Sequence, residues 1–138
     1  MDIELKKISK EQWAEQSNEE SIIPQDENVK TVFFGIYDED TMIGTILYAF
    51  DDEITNTYWI HAIKIDEQHE GKGYEKEALI SVVEWIREHF KHCTEIRLNA
   101  SKEDDSANEL YRNFGFVPSG EEHDGQNVLY LSVQTASD

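Results

Sequence analysis

A chain of 138 residues, 38% apolar and 11% aromatic, suffices for one domain with a proper core, and a lone cysteine, Cys93, excludes an internal disulfide and fits a reducing cytoplasm. Thirty acids against twelve Lys and Arg give a net charge of −18, which argues against nucleic acid as a partner and would draw polycations toward a cleft; charge alone describes a solvated acidic surface equally well. The first residues, MDIELKKISK, lack the apolar run of a signal peptide and no stretch approaches a membrane span, so a cytoplasmic protein without a membrane partner is expected.

Taken in order, Ile3, Leu5 and Ile8 sit among polar residues as in a short first strand, and Ser9 is placed to cap a helix to about residue 17 with Trp13 on its buried side. The polar stretch from Ser17 to Lys30, with Pro24, reads as a short helix or loop. Val32–Tyr37 and Met42–Phe50 form a hairpin around Asp38–Thr41, and a turn at Asp51–Glu53 leads into a third strand, Tyr58–Ile65. A long helix follows from Gly73, with Ala78, Leu79, Val82, Val83, Ile86 and Phe90 on one face. Glu95–Ala100 is a strand. Asp104, Asp105 or Ser106 caps a helix carrying Ala107, Leu110, Tyr111 and Phe114, and Gly115 suits the position past its end. Phe116 and Val117 begin a short strand, Ser119–Gln126 is a polar connection, Asn127–Val133 is the last strand and Gln134–Asp138 a frayed tail. The sum is a single α/β (α+β) domain over residues 1–133 with a mixed sheet.

The centre of this arrangement is the passage from strand to helix at IKIDEQHEGKGYEKEALISVVEWI, residues 63–86. A helix N-terminus offers unpaired N–H groups and partial positive charge, and glycines let a phosphate approach the backbone. Gly71-Lys72-Gly73 by itself is weak: a plain turn needs the same glycines.

Two motifs in this order carry a resemblance. EGKGYE, residues 70–75, follows the strand HAIKI, and ANELYRNFGF, residues 107–116, closes the second helix. Together they resemble the GCN5-related N-acetyltransferase (GNAT) superfamily over nearly the whole chain. FFGIY, YWI and GFVPSGEEHDG look most like its bacterial spermine/spermidine (diamine) acetyltransferases. The resemblance implies a mostly antiparallel sheet of six to seven strands, with splayed central strands and about four flanking helices. It implies acetyl-CoA as co-substrate, lying where the strand of His61–Ile65 leaves the strand of Glu95–Ala100. Backbone at Ile63 and Ile65 would hold the pantetheine arm, and amides of Glu70, Gly71, Lys72, Gly73, Tyr74 and Glu75 the pyrophosphate. Tyr111 matches the family's general acid. His61, expected on the face of Trp59, Ile63 and Ile65, is the candidate base, itself or through a water. No histidine pairs with cysteine or acid at metal-ligand spacing, and a homodimer is compatible with the family.

The chain departs from the family pattern in charge. Of the loop's usual Gln/Arg-x-x-Gly-x-Gly/Ala positions only Gly73 matches; Glu70 and Glu75 are acids, and Asp104 replaces the usual asparagine. Carboxylate against pyrophosphate is repulsive, whereas the same acids suit helix N-termini. These changes motivate a rival, a non-catalytic binding or regulatory domain. For the amine, Glu19, Glu20, Asp26 and Glu27 lie in the segment that forms one cleft wall in relatives, and Glu121 and Glu122 near the other. Trp59 offers an aromatic face. A polyamine or similar polycation is therefore the expected acceptor.

Overall fold

The computed structural model describes residues 3–18, 23–24, 27–51 and 56–133. Its elements are β1 (Ile3–Lys7), α1 (Lys10–Ser17), β2 (Val29–Asp38), β3 (Thr41–Asp51), β4 (Thr57–Ile65), a 3-10 turn (Glu67–His69), α2 (Tyr74–His89), β5 (Glu95–Ser101), α3 (Asp105–Phe114), β6 (Val117–His123) and β7 (Gln126–Ser132). The seven strands form one sheet in the order β1-β2-β3-β4-β5-β7-β6, antiparallel except between β4 and β5. The expected mixed, mostly antiparallel sheet is present, with three α-helices among the described residues.

Local chemistry explains each helix. Ser9 caps α1 with a full capping box: its hydroxyl accepts from the Gln12 amide at 3.0 Å, and the Gln12 side chain accepts from the Ser9 amide at 3.2 Å. This sets Trp13, fully buried, against Phe33 and Leu47 on one side of the sheet. The other side is covered by α2, whose Ala78, Leu79, Val82, Val83 and Ile86 are buried against Phe34, Ile36, Ile46, Ile96 and Leu98. Burying each of the larger side chains contributes about 1.5–3 kcal/mol. α3 starts at Asp104, which accepts from the Ala107 amide at 3.0 Å, and ends at Gly115 with φ of 130°. Of the three capping candidates, Asp104 does the work.

Two irregularities in pairing decide the site. Tyr48 pairs with Ile60 and Leu47 with Ala62, so His61 is the extra residue of a β-bulge. A bulge resets the alternation of side chains. Tyr58 and Ile60 before it, and Ile63 and Ile65 after it, all join the core beneath α2, while Ala62 packs toward Trp13. The expected shared face of His61, Ile63 and Ile65 is thus corrected: His61 keeps company with Trp59 on the opposite side. The second irregularity is the seam. β4 and β5 pair only from Thr57–Glu95 to Ile60–Leu98 and then part. The backbone of residues 61–65 is left without a partner strand on that side, which is the expected splay.

The expected polar connection over Ser119–Gln126 is also corrected. β6 runs to His123, paired with β7 through a bulge between Pro118 and Glu122, and only Asp124–Gly125 turn. β6 is an edge strand exposed on both faces, so it carries no apolar alternation to read.

Candidate active site

The seam separates two cavities. The first, about 370 Å³, opens on the face of Trp59 and His61; its wall includes Pro24, Val29, Phe50, Asp51, Thr57, Asn99 and His123. The second, about 300 Å³, lies beyond the end of β4. It is lined by Ile65, Glu70, Gly71, Gly73, Tyr74 and Glu75 with Ser106 and Leu110 of α3. His61 and Ile65 are four residues apart on one strand, so roughly 13 Å of β4 backbone, open on its β5 side, connects the two spaces.

Glycine geometry shapes the second cavity. Gly71 has φ of +79° and Gly73, the residue before α2, has φ of +87°, both in the left-handed region that L side chains rarely adopt. The first residues of α2, Tyr74, Glu75 and Lys76, line the cavity beside Gly73, and no side-chain cap takes the helix's first amides. The Tyr74 hydroxyl donates to Asp38 Oδ2 at 2.6 Å, and its ring is buried. Lys72 and Ile63 are not part of the cavity wall; Ile63 packs against the core.

The electrostatics of this cavity are acidic. The Glu75 carboxyl is raised above its ordinary range, first by desolvation and then by the charges of Glu70 and Asp104. Tyr111, half-buried and edge-on to Phe116 at 6.1 Å, has its phenol pushed up to about 12 by burial and by the charges of Glu75 and Asp104. Tyr111 therefore stands within the field of Glu75 and Asp104 and holds its proton throughout the neutral range.

The first cavity is largely apolar. Trp59 is the hub: His123 stacks on it at 5.7 Å, His61 lies 6.4 Å away at a 26° interplanar angle, and the Arg97 guanidinium sits 5.8 Å from the ring centroid. Its aromatic surface is thus already engaged by a cation of this chain. Arg97 is in turn held by Glu95 at 2.5 Å and Glu121 at 2.6 Å. Glu122 pairs with Lys102 and does not reach the cavity wall. Glu27 is exposed, and Glu19, Glu20 and Asp26 lie outside the described residues. Asp51 supplies the cavity's one carboxylate among the described residues. The His61 ring reaches solvent through the cavity, yet the surrounding wall desolvates it and lowers its pKa from the ordinary 6.5.

Asp51, Asn99 and His123 were not singled out from sequence. Asp51 looks like any turn acid, and His123 sits in the polar stretch that conceals β6. Asn99 alone carried a signal, as the polar member of Ile96–Asn99 alternation on a central strand. No group of three His, Cys, Asp or Glu side chains suited to a metal ion occurs among the described residues, and no helix there is long and apolar enough to cross a membrane.

Among the described residues, the mixed sheet parts at its one parallel pair, with a glycine-shaped turn at one end of the gap and a largely apolar cavity at the other. The sequence matches the model of the Acetyltransferase (GNAT) family over residues 3–116, and the chain belongs to that family. It is 30% identical to the spermine/spermidine N(1)-acetyltransferase of Bacillus subtilis over 101 residues, which span 69% of this chain and 66%, just under two thirds, of that protein. In structure it resembles the PaiA N-acetyltransferase of Thermoplasma acidophilum in complex with coenzyme A (TM-score 0.71, 18% identity, 96% of this chain and 100% of that one). It also resembles mutant forms of the spermidine/spermine N-acetyltransferase SpeG of Vibrio cholerae (TM-score 0.74, 17% identity, 95% of each chain).

Proposed function

We propose that this domain transfers acetyl from acetyl-CoA to a primary amine of a polyamine or similar cationic small molecule. The observation that carries the reading is the seam: β4 backbone open on its β5 side runs from a glycine-shaped turn to a cavity containing His61. Amides after Gly73 would hold the cofactor's pyrophosphate, and the β4 backbone its pantetheine arm. When bound, acetyl-CoA supplies an activated acyl group. His61, neutral at pH 7 because its pKa is lowered, accepts the amine proton directly or through a water. Tyr111, which packs against the core and lines neither cavity, would approach the leaving thiolate from α3. A phenol near 12 protonates a thiolate whose conjugate thiol has an ordinary pKa of about 8.5 only uphill, so Tyr111 would act mainly by donating a hydrogen bond to the thiolate.

The acceptor's methylene stem would run along Trp59 and Phe50, with Asp51 taking a second ammonium. Asp51 lies three to four residues along β3 from the level of His61, roughly 11 Å, a span suited to an extended polyamine. The likeness to the spermine/spermidine enzyme of Bacillus subtilis supports the same substrate class.

One observation favours the rival reading of a non-catalytic binding or regulatory domain: Glu70, Glu75 and Asp104 already repel one another where the pyrophosphate would sit. Calorimetric titration with acetyl-CoA, followed by thiol release with spermidine and spermine, decides between them. Micromolar binding with turnover supports the transferase. No binding at millimolar cofactor overturns it.

A further inference from the structure

Asn99 stands where β5 leaves β4. The last paired residues are Ile60 and Leu98, so His61 and Asn99 are the first residues beyond the pairing on the two strands. β5 alternates strictly, with Ile96, Leu98 and Ala100 buried beneath α2, which puts Asn99 on the other face with Arg97. That face is the one where Trp59 meets Arg97, and both His61 and Asn99 line the larger cavity. Asn99 Oδ1 is buried and has no hydrogen-bond partner among the described residues. A buried acceptor left unpaired costs free energy, and natural chains keep such groups mainly where function uses them.

We infer that Asn99 is the residue that positions the acceptor nitrogen: its carboxamide oxygen accepts one N–H of the incoming amine while His61 takes the proton that is lost. The inference rests on the acetyltransferase reading and deepens it. A primary ammonium has three N–H bonds. One proton leaves before attack, two remain, and the lone pair must point at the thioester carbon. A fixed acceptor on one bank of the gap and a base on the other orient that lone pair along the gap. Rotation about χ2, a soft torsion, presents the oxygen to the cavity, where the amine replaces solvent. The same geometry favours primary over tertiary amines, which lack the second N–H.

The test uses the full chain, acetyl-CoA and a panel of spermidine, putrescine and benzylamine. Asn99→Leu keeps the shape and removes the unpaired acceptor. It is expected to melt at the same or a higher temperature, to bind acetyl-CoA as before, and to lose ten- to hundredfold in kcat/KM for the amine. Asn99→Asp keeps an acceptor oxygen and adds charge that holds the amine protonated. It is expected to retain KM and to move the pH profile to the alkaline side, which a purely structural residue would not do. Wild-type kcat/KM in Asn99→Leu overturns the inference and leaves the transferase reading standing. Should Asn99→Leu fail to fold, the Asp variant decides, and an unshifted pH profile overturns the inference. A wild-type protein that binds acetyl-CoA and acetylates none of the panel overturns both.

Discussion

The Tyr74 hydroxyl donates to Asp38 Oδ2 at 2.6 Å, tying the first turn of α2 to the end of β2. The phenol's pKa is raised because its proton is engaged by that carboxylate. The bond fixes the turn whose residues line the cavity. Tyr74→Phe is expected to lower the melting temperature by a few degrees and to weaken acetyl-CoA binding more than it alters turnover of bound cofactor. Thermal melts and calorimetry on the same preparation check this; unchanged cofactor affinity would show that the bond serves stability alone.

Glu75 makes cofactor affinity depend on pH with a definite sign. Its folded pKa is raised, so ionisation opposes folding: its contribution is fully present below the ordinary 4.5 and is lost as pH rises through the folded value. A bound pyrophosphate adds negative charge and raises it further. Acetyl-CoA affinity is therefore expected to increase on acidification from pH 7 toward 5. Glu75→Gln should flatten that dependence and tighten binding severalfold at pH 7, by about 1 kcal/mol. Calorimetric titrations at several pH values measure both.

As the proposed base, His61 would govern the acid limb of the rate. Because its pKa is below 6.5, kcat/KM for the amine should hold near neutrality and fall only at lower pH. His61→Gln is expected to reduce kcat by ten- to a thousandfold and to abolish that limb. Retention of the limb in His61→Gln would assign it to another group.

Tyr111→Phe removes the hydroxyl proposed to act on the leaving group alone. It should lower kcat by roughly tenfold to a hundredfold while leaving the dissociation constant of acetyl-CoA within about twofold. A variant that loses cofactor binding instead would make Tyr111 a structural residue.

Much of this could be read in the chain. Ser9 with Gln12, the 3.6-residue spacing from Ala78 to Ile86 and the pair Asp104–Gly115 mark their helices because the signals are local. His61 shares the face of Trp59 as alternation predicts, but the faces of Ile63 and Ile65 could not be read: one extra residue in β4 reverses the parity of everything after it, and only the register against Leu47 and Tyr48 shows where that residue sits. β6 escaped because an edge strand needs no apolar face, and with it His123. The acids near the last strands, expected to face the amine, are taken up by Arg97 and Lys102, partners distant in sequence.

Among the described residues, β1–β4 and β5–β7 are stitched within the sheet by the four pairs from Thr57–Glu95 to Ile60–Leu98, with the Thr94 and Glu95 amides donating to the Asn56 carbonyl beside them. Each half is an antiparallel meander or hairpin that completes most of its own ladder, and α2 lies across both. The domain is in this sense two folding modules sharing one short suture. Chains cut in the loop after α2, at residues 90–94, should be candidates for reassembly from separate fragments, and any ligand lodged in the open part of the suture would act as their clasp.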